Sequence, residues 1–81
     1  MKKICVTRRD IKEGTRKWLS RCPIALAAKR AFGTNRVSVS DHIVINGKFY
    51  TASPKVLLFI DNFDRGRVVE PFSFVPVLWK E

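Results

Sequence analysis

Histidine is nearly absent from this 81-residue chain, cysteine is scarce, and acidic residues are outnumbered by more than two to one. Each shortage removes a class of function. A zinc site needs three or four ligands, and His42 with the widely spaced Cys5 and Cys22 cannot supply a recognisable set. Two cysteines make no disulfide framework, so both are expected as reduced thiols. No apolar run approaches the roughly 20 residues of a membrane span. "MKKICV" begins basic, but "TRRDIKEGTRKW" interrupts any apolar region, unlike a secretory signal. An intracellular, soluble, cytoplasmic protein with no membrane partner is the expectation. With four glycines there is no glycine-rich phosphate loop, and the scattered acids form no catalytic carboxylate pair. The residues point to no cofactor, no metal and no enzyme.

What the chain does have is positive charge in one place. Its net charge is +9, and residues 1–36 carry all of it, with eleven basic groups against two acidic ones. Residues 37–81 hold five of each and cancel. A field that one-sided attracts polyanions or an acidic protein surface. Nearly half of the residues are apolar, enough for one core, and the length allows a single domain over 1–81.

The order of elements follows from local signals. "KICVTR" alternates, with Ile4 and Val6 on one side, and reads as a strand. Thr7 then caps a helix of one or two turns, or simply a turn, with Asp10 three residues on and Gly14 as its stop. "RCPIALAAKRAFG" is a helix from cap to cap. Cys22 is its N-cap, Pro23 suits the first position because its missing N–H is unpaired there anyway, and Gly33 lies just past the end. Ile24, Ala27, Ala28 and Ala31 form its buried stripe, with Leu26 and Phe32 beside it.

Residues 36–51 switch to period two around Asn46-Gly47, a type I′ hairpin signal, and predict a three-strand meander with a second turn at Ser40-Asp41. Ser53-Pro54 opens another helix, whose face is Val56, Phe59, Ile60 and Phe63, widened by Leu57 and ended by Gly66. "RVVEPFSFVPVLW" returns to extended chain, where Pro71 and Pro76 argue for an edge strand or an irregular tail. The fold class is α+β: a small antiparallel sheet of N-terminal strand, meander and C-terminal edge strand, with two main helices on one face.

Two residues invite a chemical reading. Cys22 sits at a helix N-terminus beside Arg21, which favours thiolate. A cysteine nucleophile also needs a base, and His42 lies in a distant turn, so a small apolar cap is the simpler role. His42 beside Asp41 could act as a base, but a turn histidine is more simply solvated.

The basic segment carries more. "TRRDIKEGTRKWLSR" gathers Arg8, Arg9, Lys12, Arg16, Lys17 and Arg21 around Trp18, with Lys29, Arg30 and Arg36 further on. Cations neutralise phosphates while an indole stacks on a base. The opposing possibility is that Trp18 belongs to the core and the cations only keep a small protein in solution. The aromatic strand pattern of an RNA-recognition sheet is missing, as are zinc-finger ligands, so contacts to backbone rather than to sequence are expected.

Several short elements together resemble a family of small proteins from tailed-phage and prophage genomes. They are Ile11 and Gly14, "CPIALA" at 22–27, Val37 and Val39, Gly47 and Tyr50, and a C-terminal series. That series is Pro54, Val56, Phe59-Ile60, Phe63-Asp64, Gly66, Val69 and Pro71 to Phe74. The match spans most of the chain and departs in the more basic first turn. The resemblance implies a phage-encoded protein acting in the bacterial cytoplasm, and it carries over no catalytic residues. The function expected is stoichiometric binding of an anionic partner, either nucleic acid or a nucleotide signal of host defence. An anti-CRISPR-like inhibitor that occupies an acidic host protein surface is the alternative, and a cysteine enzyme ranks last.

Overall fold

Ile4 and Val6 are buried and Cys5 between them is exposed, so the alternation of the first strand, β1 (Ile4–Val6), is fully expressed in a computed structural model that describes residues 3–79. Helix α1 (Arg8–Glu13) follows through a complete capping box: the Asp10 N–H donates to Thr7 Oγ1, and the Thr7 N–H donates to Asp10 Oδ2 at 2.9 Å. Gly14 ends this helix at an ordinary φ of −68°. Its necessity is steric, because a Cβ there would lie 2.6 Å from the ring of Pro23.

Helix α2 (Pro23–Phe32) runs from Cys22, whose Sγ accepts the Ala25 N–H, to a left-handed Gly33 at φ 61°. Ile24, Ala25, Ala27 and Ala28 are buried, while Ala31 and Phe32 are only partly covered. Strands β2 (Val37–Val39), β3 (His42–Ile45) and β4 (Lys48–Thr51) form the expected antiparallel meander. Asn46 and Gly47 both take positive φ, as a type I′ turn requires. Helix α3 (Pro54–Asp64) starts at Ser53, which caps Val56, and buries Val56, Phe59 and Phe63. Leu57, expected on its buried face, is 41 % exposed. The helix face is narrower than its apolar composition.

The α+β class holds, with helices on one side of an open meander sheet, but the strands divide between two sheets rather than one. Strand β5 (Phe72–Phe74) pairs antiparallel with β1. The chain then crosses over, and β6 (Val77–Leu78) pairs antiparallel with β4, giving the order β2-β3-β4-β6 in the second sheet. Pro76 is buried at the crossing. It lies between the two short strands into which the expected single edge strand divides.

One core joins the sheets. Ile4 and Val6 of β1, Ile24 and the alanines of α2, and Val37, Val39, Ile43 and Ile45 of the meander belong to one buried cluster with Val56, Phe59 and Phe63. The alanines allow the helix to sit close to both sheets.

Candidate nucleic-acid interface

The segment between α1 and α2, residues 15–21, has no regular structure, yet five hydrogen bonds tie its backbone. The Thr15 N–H donates to Arg21 O at 2.8 Å and closes the loop at its ends. The Arg21 N–H donates to Trp18 O, making the inner turn. Outside bonds anchor it to three elements. The Val39 N–H of edge strand β2 donates to Leu19 O at 2.8 Å, Lys29 Nζ of α2 donates to Ser20 O at 2.6 Å, and the Lys17 N–H donates to Asp64 Oδ1 of α3 at 2.9 Å. Lys17 takes a left-handed φ of 59°, a conformation that costs a residue with a Cβ about 1–2 kcal/mol. The Asp64 carboxylate, accepting its N–H, holds it there.

Held in this way, the loop turns its cations and its indole to solvent. Arg16, Lys17, Trp18 and Arg21 are all exposed, Trp18 at 54 %. Trp18 is therefore outside the core. The Arg21 guanidinium carbon stands 5.6 Å from the Trp18 ring centroid, within cation–π range. The Arg16 guanidinium rests on Gly66, 3.3 Å from where a Cβ would project. Arg65 and Arg67 flank that glycine, paired with Asp61 and Asn62. Nothing in the charge-neutral second half pointed to two of its arginines standing beside the basic loop.

The other cations expected in this surface are placed differently. Arg30 forms a two-bond fork with Asp10, at 2.9 and 2.8 Å, and also donates to Cys5 O at 2.8 Å. It ties α2 to α1 and β1. Lys29 braces the loop from behind through Ser20. Arg8 pairs with Glu70 of the C-terminal segment and Arg9 with Glu13, both at the surface, where such pairs are worth about 0–1 kcal/mol and open readily. Lys12 is exposed in the last turn of α1, and Arg36 is exposed just before β2. The loop collects four of the ten expected residues, two act as struts, three lie on α1 and Arg36 stands just before β2.

Behind the loop is a cavity of about 460 Å³ whose floor includes Cys22 and whose rim includes Trp18, Leu57, Asp41, Asp61 and Asp64. Cys22 is buried, and burial pushes its thiol above the ordinary cysteine value, against the opposing pull of the Ala25 and Ile24 N–H groups. Packing and capping are its visible roles. His42 is the first residue of β3 rather than part of a turn, and it faces a different cavity, of about 660 Å³, with Phe49, Trp79, Leu78 and Lys48. Its ring meets Trp79 edge-on at 4.5 Å between centroids and Phe49 at 6.4 Å.

This aromatic group was not anticipated. The period-two alternation of "HIVI" and "KFYT" places His42, Val44 and Phe49 on one face once the Asn46-Gly47 turn sets the register, and that much was readable. Trp79 joins them only through the crossover into β6, where its N–H donates to Phe49 O at 2.8 Å.

Among the described residues no three His, Cys, Asp or Glu side chains could hold a metal, and no helix is long and apolar enough to cross a membrane. No family model, curated protein or solved structure matches the chain.

Proposed function

We propose that this protein is a non-catalytic binding module that engages nucleic acid through the ordered basic loop 15–21. The observation that supports this most is that loop itself. A strained Lys17 and five hydrogen bonds hold the backbone that carries Arg16, Lys17, Arg21 and the exposed Trp18, so binding need not order that backbone first. The cations would neutralise phosphates, and the indole, backed by Arg21, would stack on a base. A free nucleotide of host defence offers the same chemistry with fewer phosphates. The resemblance to small tailed-phage proteins favours counter-defence in the bacterial cytoplasm as the setting.

The test is fluorescence anisotropy with labelled oligonucleotides against the wild type and Arg16→Glu/Lys17→Glu. Both side chains are exposed, so the fold should persist, with a small drop in melting from an acidic side chain set beside Asp64, while binding is strongly weakened; retained affinity sinks the proposal. A second role, inhibition of a host protein complex, is favoured by one feature: Trp18, Leu19 and Leu57 expose apolar area around the loop cavity, next to arginines. Purification of the tagged protein from host lysate, with and without nuclease, separates the two. A protein complex retained after nuclease supports inhibition, and nucleic acid lost with nuclease supports the loop as a phosphate site.

A further inference from the structure

We propose that the open face of the β2-β3-β4-β6 sheet is a stacking surface for unpaired bases, so that the ligand is single-stranded nucleic acid; this rests on the loop as a phosphate-binding site. Pairing puts Phe49 opposite Val44, and His42 opposite Thr51, on the face away from the core. The Trp79 backbone pairs with Phe49 and brings a third ring beside them. Phe49 is 55 % and Trp79 46 % exposed, with Val77 also open, on a face none of whose side chains joins the buried core. Two adjacent rings open to water, Phe49 and Trp79, beside a half-buried His42, are a cost to an isolated domain.

Charge chooses the occupant. All of the net charge of +9 lies in residues 1–36, whose basic loop adjoins this face, so a polyanion is drawn toward it and a second copy bringing the same charge is repelled. Lys48 lines the same cavity and can meet a phosphate. A duplex keeps its bases inside, so it offers a flat aromatic sheet nothing to stack on; splayed single-stranded bases do.

Position links this face to the basic loop. Asp41 lines the loop cavity and His42, the next residue, lines the aromatic one. The two sites meet at the β2–β3 turn. A strand laid over that turn would place bases on Phe49 and Trp79 and its continuing backbone against Arg16, Lys17 and Arg21.

The chain has two tryptophans, so in a Trp18→Phe background Trp79 alone reports on the sheet face. That protein is titrated with an oligothymidine and with a duplex of equal length. The oligothymidine should quench Trp79 to saturation and bind more tightly than the duplex. Phe49→Leu keeps apolar area and removes the π-face. It should weaken single-strand binding roughly 5- to 150-fold, the worth of one stacked base, and leave duplex binding unchanged. Arg16→Glu/Lys17→Glu should weaken both. Single-strand affinity unmoved by Phe49→Leu, or binding without Trp79 quenching, overturns the stacking surface and leaves the loop standing. Absence of wild-type binding to either oligonucleotide, read by anisotropy, overturns both. A dimer in sedimentation that Phe49→Leu dissolves assigns the face to a second copy and also overturns it.

Discussion

Replacing Arg30 with methionine should unfold the protein at a much lower temperature without touching its affinity for nucleic acid. Methionine keeps the aliphatic stem and deletes three hydrogen bonds, two to Asp10 and one to Cys5 O. The Asp10 side chain is only 5 % exposed, so its carboxylate would be left buried with the Thr7 groups alone. Removing one partner of a fully buried pair costs about 3–5 kcal/mol. Arg30 is 54 % exposed, so water can reach part of the gap and the cost is discounted to about 2–3 kcal/mol. A domain of this length has a total stability of about 4–12 kcal/mol. At about 4–8 °C per kcal/mol, the melting temperature should fall by roughly 10–20 °C near neutral pH.

The loss carries a pH signature. Burial raises the Asp10 carboxyl, but the hydrogen bonds from Arg30 and Thr7 outweigh it and hold the group below the ordinary aspartate value. A depressed folded value stabilises the fold above the unfolded aspartate pKa of about 3.9, and that contribution is lost as pH falls through the folded value. Calorimetric melts of wild type and variant should therefore converge in acid, once Asp10 is protonated in both. A variant that melts like the wild type near neutral pH, or a gap undiminished in acid, would refute the assignment of Arg30 as a strut.

Two further changes probe the frame and the loop. Gly14→Ala occurs at a φ any residue can adopt, where such changes usually stabilise by about 0.4–1 kcal/mol. The added Cβ would meet Pro23 at 2.6–2.8 Å, so a loss of about 1–3 kcal/mol is expected instead, and the sign of the shift in a thermal melt decides. Asp64→Ala removes the acceptor that holds Lys17, whereas Asp64→Asn removes the charge and keeps an acceptor oxygen. Anisotropy should show tighter oligonucleotide binding for Asn and weaker binding for Ala, although both make the protein more positive. Equal gains would mean that loop order contributes nothing.

Much of the fold was legible because its signals are local. Cys22-Pro23 and Gly33 bound α2, Asn46-Gly47 sets the hairpin, and Ser53-Pro54 starts α3, each through a cap or turn that a few neighbouring residues decide. The division into two sheets was not legible. It depends on which distant strand the segment on either side of Pro76 finds, and period-two alternation is the same for both partners. Among the cations, composition could not tell Arg30 from Arg16. Their difference is Asp10, brought to Arg30 by the packing of α1 on α2. The left-handed Lys17 was equally hidden, since lysine has no preference for that conformation and Asp64 imposes it from 47 residues away. The stacking rings were half legible: Phe49 from the hairpin register, Trp79 only from the crossover.

The central claim is that the loop meets phosphates, and salt dependence of binding addresses it most directly. Each phosphate neutralised on a single strand contributes about −0.7 to the slope of log affinity against log salt concentration. Arg16, Lys17, Arg21 and Lys48 together predict a slope of about −3, and Arg16→Glu/Lys17→Glu should flatten it by about 1.4. A wild-type slope near zero, or the same slope in wild type and variant, would contradict the account.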